Sequence, residues 1–143
     1  KGLIKNLIET FTMIKTHLLL KYSCFLFYLS AGMNHFIDAD FYYGLIPDYL
    51  PYPYWINIVS GLLEIMLSLL LLLPKYQKIG ALGIVLLLIC FIPSHIYFIQ
   101  IGSCVTDGLC VAPWMGWLRL IIVQPLLIFW AWNVGKLNFR FAQ

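Results

Sequence analysis

Charge is what this sequence has least of. Asp, Glu, Lys and Arg together make up 10% of its 143 residues, against about 25% in soluble domains. With 62% hydrophobic residues, a soluble domain of this length could not cover its apolar surface. Soluble enzyme folds are thereby excluded, and an integral membrane protein of one domain is implied. Lys and Arg are missing from whole stretches: none lies between Asp38 and Leu73, and none between Ile101 and Pro113. The small excess of +3 is placed by topology and does not form a nucleic-acid-binding run. Internal repeats and low-complexity segments are absent, as is a cleavable signal with a small-residue cleavage site. The chain opens at Lys1 without Met, so a short preceding piece is expected.

What is present is apolar helix. The longest polar-free face belongs to the run that ends at Leu73. In helical register Asn57, Ser60, Gly61, Glu64 and Ser68 share one side, with Ile, Leu, Val and Met on the other. Four spans are expected, at about 17–37, 54–73, 79–100 and 114–132, forming a membrane domain over 17–133. Residues 1–16 alternate Leu3, Ile4, Leu7, Ile8 and Phe11 with Lys5, Asn6, Glu9 and Thr12. That pattern fits an N-terminal amphipathic helix at the interface, or equally a cytoplasmic extension of the first span. Residues 134–143 form a short tail. In the first span, Ser23, Phe27, Ser30 and Asn34 make a narrow polar stripe, and Lys21 can snorkel to the headgroups. Phe41 to Leu50 fits a short interfacial helix or a re-entrant piece. Pro93 and Pro125 are expected to bend the third and fourth spans. Lys1, Lys5, Lys15, Lys21, Lys75, Lys78, Lys136 and Arg140 fall on one side, and Asp38, Asp40, Asp48 and Asp107 on the other. The positive-inside rule then gives an all-α, four-transmembrane-helix bundle with both termini in the cytoplasm.

An ionisable group in mid-span costs at least ~2.5 kcal/mol unless it faces protein or water. Glu64 therefore needs a partner surface. Asn34, His35 and His95 lie within roughly 8 Å of the outer boundary at ~1.5 Å per residue, as does Arg119. These five are expected to line one outward-opening polar pocket, with a Glu64–Arg119 pair geometrically possible. Such a pair can simply fix helix register. Alternatively, the two histidines can relay protons or hydrogen-bond a quinone carbonyl. No metal site is expected, because no ligand pair has the three- or four-residue spacing of a preformed site. Cys104 and Cys110, six apart in a loop, can close a disulfide. Cys24 and Cys90 read as small packing residues. Trp114, Trp117, Tyr52, Tyr54 and Trp55 read as interfacial anchors.

The order of short motifs resembles the DoxX-like family of small four-span membrane proteins. It runs Asn34-His35-Phe36, Gly44-Leu45-Ile46-Pro47, Tyr49-Leu50-Pro51, Ser60-Gly61, Glu64, Pro74-Lys75, Pro93-Ser94-His95-Ile96-Tyr97 and Trp117-Leu118-Arg119. The resemblance covers about residues 30 to 133. Where the family more often has Ala-Asn, this chain has Ser94-His95, and the loop cysteines are not a general family feature. The resemblance implies a redox-associated protein of the bacterial inner membrane and names no reaction or catalytic residue. The expected role is a subunit that binds a quinone-like or other small ligand in the pocket. It would sit in the lipid bilayer with a membrane-protein partner or as a homo-oligomer. The alternatives are a non-catalytic assembly or scaffold subunit of a larger complex, and a small proton-coupled transporter.

Overall fold

The computed structural model describes residues 2–105 and 108–137. Lys1, Asp107, Arg140 and the tail beyond Leu137, which carry part of the charge argument, lie outside them. The described chain is helical, without a strand. Its elements are α1 (Gly2–Ile37), α2 (Ala39–Tyr43), α3 (Pro53–Leu72), α4 (Gln77–Cys90), α5 (Ile92–Gln100) and α6 (Pro113–Leu118). A π-helical turn over Arg119–Val123 and α7 (Gln124–Leu137) complete it.

Proline and the apolar runs set most of these boundaries. Pro53 opens α3 and Pro113 opens α6, each at a first-turn position where the missing N–H costs nothing. The third hydrophobic run breaks at Phe91, just before Pro93, and becomes α4 and α5. The fourth run absorbs Pro125 through the π turn that precedes it. Helix α1 passes residue 16 without interruption, so residues 2–16 extend the first helix. The interfacial piece expected over Phe41 to Leu50 shrinks to α2, which Asp38 caps by accepting from the Phe41 N–H.

Among the described residues, three helical stretches are long and apolar enough to cross a membrane: Pro53–Leu72, Gln77–Gln100 and Pro113–Lys136. Helix α1 has ample length at 36 residues but carries Lys21, Asn34 and His35. It packs antiparallel along the whole of α3. His35 meets Asn57 at one end, and at the other the Lys21 ammonium lies 3.5 Å from the Leu72 carbonyl. That is a cation at a helix C-terminus, where the dipole favours it. About one turn from the His35 end, Gly32 and Gly61 bring the backbones together: a Cβ on Gly32 would stand 2.8 Å from the Gly61 carbonyl oxygen. Small residues replace hydrophobic drive as the source of tight packing between helices in lipid.

The remaining helices close a ring, α1–α3–α4–α7–α1. Its core of Cys24, Tyr28, Leu67, Leu71, Ala81, Ile84, Leu87, Leu88, Ala131 and Val134 fills the half near the Pro74 turn. In the other half, below the two long loops, there is a cavity instead.

The buried face of α1 is not its polar stripe. Phe27 and Ser30 are exposed, while Lys21, Cys24, Tyr28, Gly32 and His35 are buried. The Ser23 hydroxyl donates to the Leu19 carbonyl of its own helix at 2.6 Å, so it needs no neighbouring helix.

Candidate functional site

The cavity holds about 910 Å³ and lies between α1 and α3 on one side and α5, α6 and the π turn on the other. Its walls are mainly apolar. His35, Glu64, His95 and Arg119 all line it, as the sequence suggested. Asn34 does not. Its amide donates to the Tyr42 hydroxyl at 3.2 Å, and Tyr42 is the residue that reaches the cavity.

On the α1–α3 wall, Asn57 organises the chemistry. Its amide nitrogen donates to the His35 carbonyl at 2.8 Å, which fixes which way the amide points. Its oxygen then faces His35 Nδ1 at 2.6 Å and must accept from it. The network therefore assigns the neutral imidazole as the Nδ1–H tautomer, with the Nε2 lone pair turned toward Glu64 Oε2, 3.7 Å away. Two lone pairs facing each other repel. One proton, on the carboxyl or on the imidazole, makes the pair complementary. The His35 ring also stacks on Tyr42, centroids 3.6 Å apart. Tyr42 lies in the loop segment, where burial pushes its hydroxyl above the usual phenol range and the Asn34 hydrogen bond partly offsets this.

On the opposite wall Arg119 begins the π turn. Its guanidinium donates to Gln124 Oε1 at 2.6 Å, and Gln124 Nε2 donates onward to the Leu88 carbonyl at 2.5 Å. The anticipated direct Glu64–Arg119 pair does not form among the described residues: Gln124, a helical turn away on the same strand of chain, takes the arginine first. The two opposite charges face one cavity from separate walls.

Among the described residues, three of the buried polar atoms without a hydrogen-bond partner are the Tyr28 hydroxyl, Glu64 Oε2 and His95 Nε2. All three residues line this one cavity. Unmet buried polar groups are expensive in a low-dielectric interior, so their convergence points to something polar placed among them. Tyr28, Asn57, Tyr42 and Gln124 join the site without having been singled out as site residues from sequence. Asn57 lay on the recognised polar face of α3. Tyr28 and Gln124 carry no charge, and Gln124 is a polar residue in the fourth apolar run that was passed over.

Outside the cavity, Cys104 and Cys110 lie at disulfide distance across an antiparallel bridge. Their loop contributes Leu109 and Val111 to the cavity wall. Among the described residues no group of three His, Cys, Asp or Glu side chains converges as a metal site would require.

Residues 25–135, which contain every residue of the site, match a family described as Domain of unknown function (DUF8561). No curated protein and no solved structure matches the chain.

Proposed function

The chain belongs to the DUF8561 family, whose description names no activity, and from the site itself we propose a membrane protein that binds a quinone-like ligand in the cavity and exchanges a proton with it. The observation that carries this reading is the convergence of Tyr28, Glu64 and His95, each with an unmet buried polar atom, on a mainly apolar cavity. A quinone ring fits that chemistry. Its flat apolar body suits the walls, and its carbonyl oxygens accept from Tyr28, Arg119 or the single proton of the His35–Glu64 pair. Asn57 keeps that proton on the cavity side of the imidazole. The protein supplies binding and a proton, and electrons come from a membrane partner. This is a redox-associated role of the kind the DoxX-like resemblance implies.

The same reading takes α1 as a fourth span, packed along α3, puts both termini in the cytoplasm by the lysine distribution, and takes the membrane as a bacterial inner membrane from the DoxX-like resemblance. Binding of a short-chain benzoquinone to the purified protein tests it. Wild type is expected to saturate, and Glu64→Gln to bind at least tenfold more weakly while keeping its helical circular-dichroism spectrum. Equal binding by both proteins would remove the carboxyl from the site. Altered assembly with a partner and unchanged binding would favour a scaffold subunit instead.

A further inference from the structure

Resting on the quinone-site reading, we propose that the ligand is a membrane-borne lipid, a ring with a long hydrocarbon chain, that enters sideways from the bilayer between α3 and α5 and leaves its chain in that slot. Four observations carry this.

First, the bundle is closed only in the half that contains the core. Helix α4 packs on α3, but after the break at Phe91 helix α5 packs on α4, α6 and the π turn, and its backbone stays away from both α1 and α3. The proline break thus ends the α3–α4 seam and opens a gap beyond it. Second, the cavity extends into that gap. Ser60 of α3 and Cys90, Pro93 and Ser94 of the broken helix are all cavity walls. Cys90 and Pro93 are also exposed, so these cavity walls form part of the molecular surface. Third, that surface is not at the loop end. Ser60 lies seven residues into α3 and Cys90 ten residues before the end of α5, which at ~1.5 Å per residue places the slot roughly 10–15 Å inside. A slot at that depth faces hydrocarbon if these helices span. Fourth, apolar side chains wall the end where water would enter, among them Ile46 and Leu50 of the first loop and Leu109 and Val111 of the second.

The slot edge is small or apolar, and Tyr28, Glu64, His95 and Arg119 line the cavity behind it. An amphiphile placed this way has its ring among Tyr28, Glu64, His95 and Arg119 and its chain pointing out through the slot. A water-soluble ligand gains nothing from a lateral opening, whereas a lipid already concentrated in the bilayer needs one.

The test uses two photoreactive azido-benzoquinones, one with a ten-carbon chain and one without, offered to the full chain in lipid nanodiscs and read by peptide mapping. The chain-bearing probe is expected to label residues 84–100 at least tenfold more than the chainless probe. Ser94→Trp, which fills the slot, is expected to reduce that labelling at least tenfold. Ile96→Trp, which puts the same bulk on an exposed position of α5 outside the cavity, is expected to keep it. Equal labelling by the two probes, with no effect of Ser94→Trp, would overturn lateral entry and leave the quinone site standing. Labelling by neither probe would overturn both. Should Ser94→Trp fail to fold, the comparison of the two probes decides alone.

Discussion

Asn57 makes two hydrogen bonds to one residue, one to the His35 carbonyl and one to its ring. Replacing it by Leu leaves a buried carbonyl and a buried ring N–H unmet, at a cost of about 1–3 kcal/mol. The expected result is a lower melting temperature in detergent and a shift of the imidazole nitrogens toward a mixed tautomer by nitrogen NMR. An unchanged nitrogen spectrum would show that Asn57 does not set the tautomer. At this scale the charged and titratable residues drew attention in the sequence and the neutral polar ones did not. His35, Glu64, His95 and Arg119 stand out because charge or near-charge in an apolar run demands an explanation. Gln124 carries no charge, although burying its amide is costly too, and it takes the arginine that Glu64 could have reached. The serine stripe of α1 could not by itself orient the helix: a hydroxyl that bonds its own helix, as Ser23 does, carries no information about which face is inside.

Among the elements, the α1–α3 contact depends on the absence of two side chains. A Cβ on Gly61 would lie 2.7 Å from the His35 Cβ, so Gly61→Val must push the helices apart. The expected loss is about 1–3 kcal/mol or more, read as a lower melting temperature, and the shift of His35 should weaken ligand binding too. A variant as stable as wild type would mean that α1 and α3 do not cross this closely. Across the ring, Gln124 bridges both broken helices, tying Arg119 of the π turn to the Leu88 carbonyl near the end of α4. Gln124→Leu is expected to lower the melting temperature and weaken benzoquinone binding several-fold, by freeing Arg119. A loss of stability with full binding would make Gln124 purely structural. The helix ends were legible because prolines and uninterrupted apolar runs mark them: α3 begins at Pro53 and ends at Leu72, one residue from each expected limit. The π turn was not legible. Pro125 marked an irregularity in the fourth helix, but not that it takes the form of a π turn over Arg119–Val123.

At the scale of the molecule, the packed core and the cavity divide the bundle between its two ends, and the lysines gather at the packed end. Lys75 and Lys78 lie at the turn and Lys136 at the end of α7, while Asp38, Asp40 and Asp48 lie at the loop end. Single cysteines introduced as Lys75→Cys and Asp48→Cys, in a chain whose own cysteines are replaced, are therefore expected to react with a membrane-impermeant maleimide from opposite sides. Asp48→Cys should react from outside intact cells. Reaction of both from one side would overturn the four-span topology. The central claim is that the cavity holds a ligand, and the most direct measurement is mass spectrometry of the protein extracted gently from its native membrane, read for bound small molecules and bound proteins together. The account predicts a quinone-like lipid at near-stoichiometric amount, lost in Glu64→Gln. A stoichiometric protein partner with no bound small molecule in the wild-type particle would contradict it.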